Sequence, residues 1–264
     1  MVMHLMIPSL SHATAWQRPF RILIAGLGLL VLAGCAQKPA PAGFNDPMEA
    51  QNRQIHAFNL GVDKALLRPA SSGYDKALPG PLKQGVSNFA GNLDAPGDVV
   101  NNLLQGRPHH ALENTLRFAL NTTVGIGGLF DPATALGVAG KSTDFGETLH
   151  VWGAGEGNYV EFPLIGPTTE RDLVGTAVDV VLNPLRYVLP TREGNIATGA
   201  KVASRLGDRA RYSDTLDSVL YDSADSYAQA RLLYLQNRRY ELGQTSGAAG
   251  DDAFLDPYED PYGN

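Results

Sequence analysis

The sequence holds a single cysteine among 264 residues, which excludes an internal disulfide framework and any CxxC or multi-cysteine metal site. Basic residues are also few: 21 Lys and Arg stand against 27 Asp and Glu, for a formal net charge of -6. That balance argues against nucleic acid as a partner, because neutralising phosphates needs a basic stripe. Enzyme signatures are missing as well. Four histidines follow residue 35 (His56, His109, His110 and His150), and none forms HExxH or another spaced metal pair. Adjacent helical residues point ~100° apart, so His109-His110 cannot chelate from one face and reads as a surface pair. Gly85-Val86-Ser87-Asn88-Phe89 lacks the closing glycine of a nucleophile elbow. Gly153-Ala154-Gly155-Glu156-Gly157 is not GxGxxG, because Asn158 takes the last position, and no P-loop occurs. No nucleotide, cofactor or metal is therefore expected.

What is present begins with an address. Arg18 and Arg21 precede an unbroken small-and-apolar run, Ile22 to Gly34, too short to span a bilayer comfortably. It ends in Leu32-Ala33-Gly34-Cys35, which looks like a lipobox. The lone cysteine would receive a diacylglycerol, and the chain would be cut before it. Residues 1–34 then form a lipoprotein signal peptide, and Cys35 is the lipidation site. Each buried CH₂ of an acyl chain contributes ~0.8 kcal/mol, and two or more chains anchor stably. No aspartate follows Cys35, since Ala36 does. Losing residues 1–34 removes two arginines and no acid, so the formal charge falls from -6 to -8. Residues 35–45 are a small Pro/Ala/Gly linker. At the other end, residues 243–264 hold five acids (Asp251, Asp252, Asp256, Glu259 and Asp260) and no base, and read as a disordered acidic tail.

Between these ends, 29 Gly and 17 Pro over the whole chain predict short elements rather than long ones. Asp46-Pro47-Met48-Glu49 predicts an N-cap, a Pro at N1 and a Glu at N3. Met48, Ile55, Phe58, Val62 and Leu66 recur at helical spacing until Arg68-Pro69 ends the run. A second helix is expected from Pro81, a third after Pro96 up to Gly106, and a fourth from Pro108 to Asn121. From Phe118 to Gly140 the only charge is Asp131, and the stretch is broken by Gly125, Gly127, Gly128 and Asp131-Pro132. Two readings stay open there: a helix–break–helix within one leaflet, and a buried core with a tight turn. Phe145–Gly157 predicts a small hairpin or irregular loop, and Tyr159–Phe162 a short strand. Thr169 with Asp172 resembles a capping box for a helix stopped by Asn183-Pro184. A short apolar piece, Leu185–Leu189, follows, then helices over roughly 195–206 and 213–220. A last helix runs from Asp225 to Leu242, with Gly243 as its C-cap. The fold class is all-α apart from one hairpin.

Helices of ~10–12 residues reach ~15–18 Å, about one leaflet of a ~30 Å hydrocarbon core. Helices enter lipid because their backbone bonds close internally, whereas irregular breaks must face protein or a wet cavity. A helical protein sunk in one leaflet is thus physically allowed.

A set of short motifs resembles the MlaA (VacJ) lipoprotein family. They are Asp46-Pro47-Met48-Glu49 with Asn52-Arg53 and Phe58-Asn59, Ser87-Asn88-Phe89 with Gly91-Asn92-Leu93, Leu104-Gln105-Gly106, Arg117-Phe118, Asn121-Thr122, Gly125-Ile126-Gly127-Gly128, Phe145-Gly146-Glu147-Thr148-Leu149 and Arg171-Asp172. Their order covers roughly residues 35–242, and residues 46–242 make the family-like helical domain. The resemblance implies a ring-like bundle of short amphipathic helices seated in the inner leaflet of a Gram-negative outer membrane, beside a trimeric porin. It implies a channel that takes phospholipids strayed to the outer leaflet and hands them to a periplasmic lipid-binding protein. It also implies roles for named residues. Cys35 is the acylated anchor. Phe145, Gly146, Trp152, Gly153, Gly155 and Gly157 belong to a mobile loop at the channel mouth. Asn59 and Leu60 lie on a first helix that holds the channel in its regular state, and Gly125, Gly127 and Gly128 make a membrane-facing break. Gln51 and Leu60 stand where many relatives carry aromatics. Three functions remain open: a lipid-shuttling channel, a porin-docking scaffold that conducts no lipid, and an envelope hydrolase.

Overall fold

A computed structural model describes residues 45–244. The expected signal peptide, Cys35, the expected linker up to residue 44 and the residues beyond Gln244 lie outside the described residues. The chain enters at Asn45 and Asp46 and forms α1 (Glu49–Val62). Asp46 does not cap this helix as the sequence predicted. Its carboxylate instead accepts from Asn52 Nδ2 at 2.9 Å and from Tyr227 and Arg231 of the last helix. A tertiary partner has won over a local one.

Arg68-Pro69 does not end the first run either. A π-turn, Asp63–Leu67, joins α1 to α2 (Arg68–Ala77). Proline lacks an N–H and its ring strikes the carbonyl four residues back in a regular helix; the wider turn moves that carbonyl aside. Asp63 in this turn is clamped by Arg209 through two bonds of 2.9 Å and by Tyr221 Oη at 2.7 Å.

The second and third expected helices are one. α3 (Gly80–Leu104) runs 25 residues with Pro96 inside it, about 37 Å at 1.5 Å per residue. Next to the Asn92 carbonyl that Pro96 leaves without its helical donor, Asn183 Nδ2 donates to Leu93 O at 3.0 Å. α4 (Pro108–Thr123) packs along α3. A glycine turn follows, then α5 (Pro132–Ala135), so the 118–140 stretch is a helix, a break and a short helix. Asp131 caps α5 through Thr134 N–H at 3.1 Å and pairs with Arg117 at 2.8 Å.

Phe145–Val151, expected as hairpin or loop, is instead a short helix, α6, capped by Asp144 accepting Glu147 N–H at 2.8 Å. It lies against α7 (Glu170–Leu182) with Gly146 on Gly175, where a Cβ on Gly175 would meet backbone. Between them β1 (Tyr159–Phe162) pairs antiparallel with β2 (Gly166–Thr169), Tyr159 opposite Thr169. Thr169 caps α7 through Asp172 N–H at 3.2 Å, as its spacing predicted. α8 (Leu185–Val188), α9 (Thr191–Arg211) and α10 (Ser213–Asp217) follow, then a second π-turn (Ser218–Asp222) and α11 (Ser226–Glu241). Asp225 caps α11, and Gly243 takes a left-handed φ of 69° after it. The described chain is thus an all-α bundle with one two-stranded hairpin. Two of its helices, α3 and α9, are longer than the Gly and Pro content suggested.

The interior is unusual. A cluster of Tyr159, Tyr227 and Leu235 is the buried apolar core, while most other buried residues are polar or charged. Six are asparagines (Asn52, Asn92, Asn101, Asn102, Asn114 and Asn121). They act as staples: Asn114 exchanges bonds with Lys141 N and O, and Asn121 bonds Asp131 and Ala133 N–H. The hairpin is seated the same way. Buried Glu161 accepts from Tyr159 Oη at 2.7 Å and lies 3.3 Å from His56 Nδ1, whose Nε2 is 3.0 Å from Ser226 Oγ. This line of groups joins α1, β1 and α11.

The glycine turn shows why its residues are glycines. Gly125 has no room, since a Cβ would run into the carbonyl oxygens of Asn121 and Phe130. Gly128 combines a φ of 98° with the Asn92 side chain 2.7 Å from where a Cβ would stand. Gly125→Ala is expected to cost about 1–3 kcal/mol, read as a lower urea midpoint with an unchanged slope.

Candidate functional site

α3, α7, α8 and α9 surround a cavity of about 1390 Å³, larger than the ~300–1,000 Å³ of ordinary small-molecule pockets. α3 offers it Ser87, Ala90, Asp94, Gly97, Asp98 and Asn101, one stripe at helical spacing. α9 offers Thr191, Asn195, Thr198, Lys201, Arg205 and Asp208, a second such stripe. A smaller cavity of about 220 Å³ shares Ser87, Ser204 and Asp208 with it and reaches Tyr74 and Arg211. The lining is charged in both signs. Some of those charges are matched: Asp94 by Lys201, Asp144 by Arg238 at 2.7 Å, and Glu147 by Arg107 at 2.5 Å and Lys141 at 3.1 Å. Others are not. Among the described residues Asp98 accepts only Thr143 N–H at 3.1 Å, and Asp179 only the neutral Asn101 Nδ2 at 2.8 Å and Phe145 N–H at 3.0 Å.

Burial pushes the Asp98 carboxyl up to about 7; the Thr143 N–H opposes this, and the charges of Asp94, Asp179 and Asp144 add to it. Burial raises Asp179 as well. A carboxyl whose folded pKa lies above its unfolded value of 3.8 costs no stability below that value. Its cost grows as pH rises toward 7 and is complete above it. Asp98→Asn is therefore expected to stabilise the protein by about 2–4 kcal/mol at pH 8 and little at pH 4. Thermal unfolding at the two pH values checks this.

The outside inverts the usual order. Leu164 is 73% exposed, Val188 69%, Leu136 68%, Val124 67% and Ile126 65%. They lie on the hairpin tip, on α8, on the glycine turn and, for Leu136, just after α5; Phe162, Ile165, Leu129, Phe130, Leu112 and Leu116 are exposed as well. Large exposed apolar surface of this kind marks contact with lipid or a protein partner. No helix among the described residues is long and apolar enough to cross a membrane.

Among the described residues, none of the site residues expected from the sequence lines this cavity. Asn59 instead clasps the hairpin: its Nδ2 donates to Phe162 O at 3.0 Å and Glu161 Oε1 at 3.2 Å, and its Oδ1 accepts Leu164 N–H at 2.8 Å. Leu60 is half-buried on α1. Gly125, Gly127 and Gly128 form the exposed-apolar turn after α4. Phe145 and Gly146 belong to α6, whose neighbours Asp144 and Glu147 do reach the cavity. Trp152 stacks edge-on against Phe145 at 5.6 Å and donates to Leu104 O at 3.0 Å. Gly153, Gly155 and Gly157 lie on the loop that follows, pinned by Glu156 to Arg239 at 2.9 Å and by Asn158 to Glu170. The stretch is therefore a docked helix plus a tethered loop. The lining residues went unnoticed because a polar stripe at helical spacing reads as a solvated face. The signal present in the sequence was that α3 and α9 each carry such a stripe.

The described residues thus form a helical bundle with a cavity lined by charges of both signs and large apolar side chains on its surface. The chain belongs to the MlaA lipoprotein family, whose model matches residues 44–241. It is 33% identical over 225 residues to the intermembrane phospholipid transport system lipoprotein MlaA of Shigella flexneri, covering 83% of this chain and 88% of that one. The MlaA protein of Escherichia coli K12 matches to the same extent, and that of Haemophilus influenzae is 32% identical over 84% of this chain and 90% of its own. A chain solved in work on the "Structural basis for maintenance of bacterial outer membrane lipid asymmetry" superposes with a TM-score of 0.65 at 34% identity, covering 75% of this chain and 98% of that one.

Proposed function

We propose that this protein is the outer-membrane component of an intermembrane phospholipid transport system. Anchored through Cys35, it sits in the periplasmic leaflet of the outer membrane beside a trimeric porin. It draws misplaced phospholipids out of the outer leaflet through the charged cavity and hands them to a periplasmic lipid-binding protein, so maintaining lipid asymmetry. The observation that carries the reading is the inverted distribution of polarity. A phospholipid needs a polar path for its head while its tails stay in or near lipid. Exposed side chains such as Leu164 and Val188 suit the leaflet, and the two polar stripes of α3 and α9 suit the head. No bond is made or broken in this role, and energy comes from a partner.

In a deletion strain, surface-exposed phospholipid is expected to rise, with sensitivity to detergent and chelator. The wild-type gene is expected to restore it and Cys35→Ser to fail. Full complementation by Cys35→Ser would remove the anchor from the account.

A further inference from the structure

The cavity carries charges of both signs that have no ion-pair partner within 4 Å among the described residues. On the α3 and α7 side, Asp98 and Asp179 take only neutral donors. On the α8 and α9 side, Arg186 donates only to Val180 O at 3.4 Å, and Arg205 has no carboxylate partner among the described residues. The neighbouring charges are already used, Asp94 with Lys201 and Asp144 with Arg238. Partly buried carboxylates that take only neutral donors are costly; Asp98 and Asp179 are such a pair, and the exposed Arg186 and Arg205 stand on other helices of the same cavity. The complement of such a lining is a ligand that carries a cation and an anion on one short group.

We propose that the cavity selects phospholipids whose headgroup bears a primary ammonium next to the phosphate, with Asp98 and Asp179 receiving the ammonium and Arg205 and Arg186 the phosphate. This rests on the reading of the cavity as a lipid passage. A primary ammonium donates three hydrogen bonds and so satisfies both carboxylates directly. A trimethylated amine carries the same charge but donates none. A headgroup with phosphate and hydroxyls alone matches the arginines and leaves Asp98 and Asp179 facing a net negative ligand. The high carboxyl pKa of Asp98 agrees with this: the residue lacks a cation and gains one with the ligand.

The test uses the purified, acylated full chain in detergent. Short-chain phosphatidylethanolamine, phosphatidylcholine and phosphatidylglycerol each compete with a fluorescent phospholipid. Phosphatidylethanolamine is expected to bind ~10-fold more tightly than either of the others, the discrimination that one charge-assisted hydrogen bond supplies. The double variant Asp98→Asn, Asp179→Asn keeps the side-chain shapes and is expected to narrow that gap to about twofold while phosphatidylglycerol binds at least as well as before. Arg205→Gln is expected to weaken all three. Equal affinities in the wild type, or a preference that survives the double variant, overturn the inference while lipid binding itself stands. If none of the three lipids binds, the passage reading fails and the inference falls with it.

Discussion

Replacing Gly91 or Gly194 by tryptophan is expected to abolish phospholipid retrieval while leaving the fold intact. Both glycines line the cavity, one on α3 and one on α9, and a Cβ at either meets no atom within 4 Å. A large side chain there grows into open space rather than into a neighbour, and leaving glycine favours the helix by up to ~1 kcal/mol. The expected reading is surface phospholipid as high as in the deletion strain, with a melting temperature no lower than wild type. Gly127 and Gly155 are exposed and do not line this cavity, so Gly91 and Gly194 are the positions for this experiment. The two remaining functional readings separate here. A scaffold that only docks on a porin keeps its function when plugged. A hydrolase releases fatty acid or lysolipid from purified protein, which the transport account does not predict.

Arg238→Ala is expected to have the largest effect on stability, a loss of about 3–5 kcal/mol. Arg238, 11% exposed, donates to Asp144 at 2.7 and 2.9 Å and to Asp172 at 3.0 Å. It therefore ties α11 to the N-terminal cap of α6 and to the first turn of α7. These charges hold its guanidinium pKa above the usual value, against the opposing cost of burial. Without it, Asp172 keeps Arg171 at 3.2 Å and Tyr234 Oη at 2.9 Å, but Asp144 loses its cation. Because Asp144 and Glu147 line the cavity, lipid transport should fall with stability. Arg238→Lys restores a charge but not a planar fork able to serve two carboxylates at once, and should recover less than half of the loss. Denaturant unfolding of the three proteins checks the order. By contrast Arg53, paired with Glu49 and Asp225 at the exposed surface, should matter little, because such pairs are screened by water and salt.

Elements specified by local chemistry were legible in the sequence. Pro108 opens α4, Thr169 and Asp225 cap α7 and α11 with their own side chains, and the alternation of Tyr159–Phe162 marks a strand. Elements that depend on distant partners were not. Pro69 and Pro96 read as stops, yet a π-turn precedes the first and the helix runs on through the second. Asp46 read as a cap, yet α11 takes its carboxylate. The site was hidden for a related reason. Periodicity shows that α3 and α9 have polar faces, but it cannot distinguish bulk water from a cavity between helices. The glycines that drew notice mark tight backbone turns, and the groups that face the cavity are ordinary Asp, Asn, Lys and Arg residues.

The most direct measurement places a photoreactive amino acid at residue 91 or 194 in living cells and identifies what it captures. The account predicts phospholipid, lost when the opposite position carries tryptophan. Capture of no lipid at either position, in a protein that still complements the deletion, would contradict it.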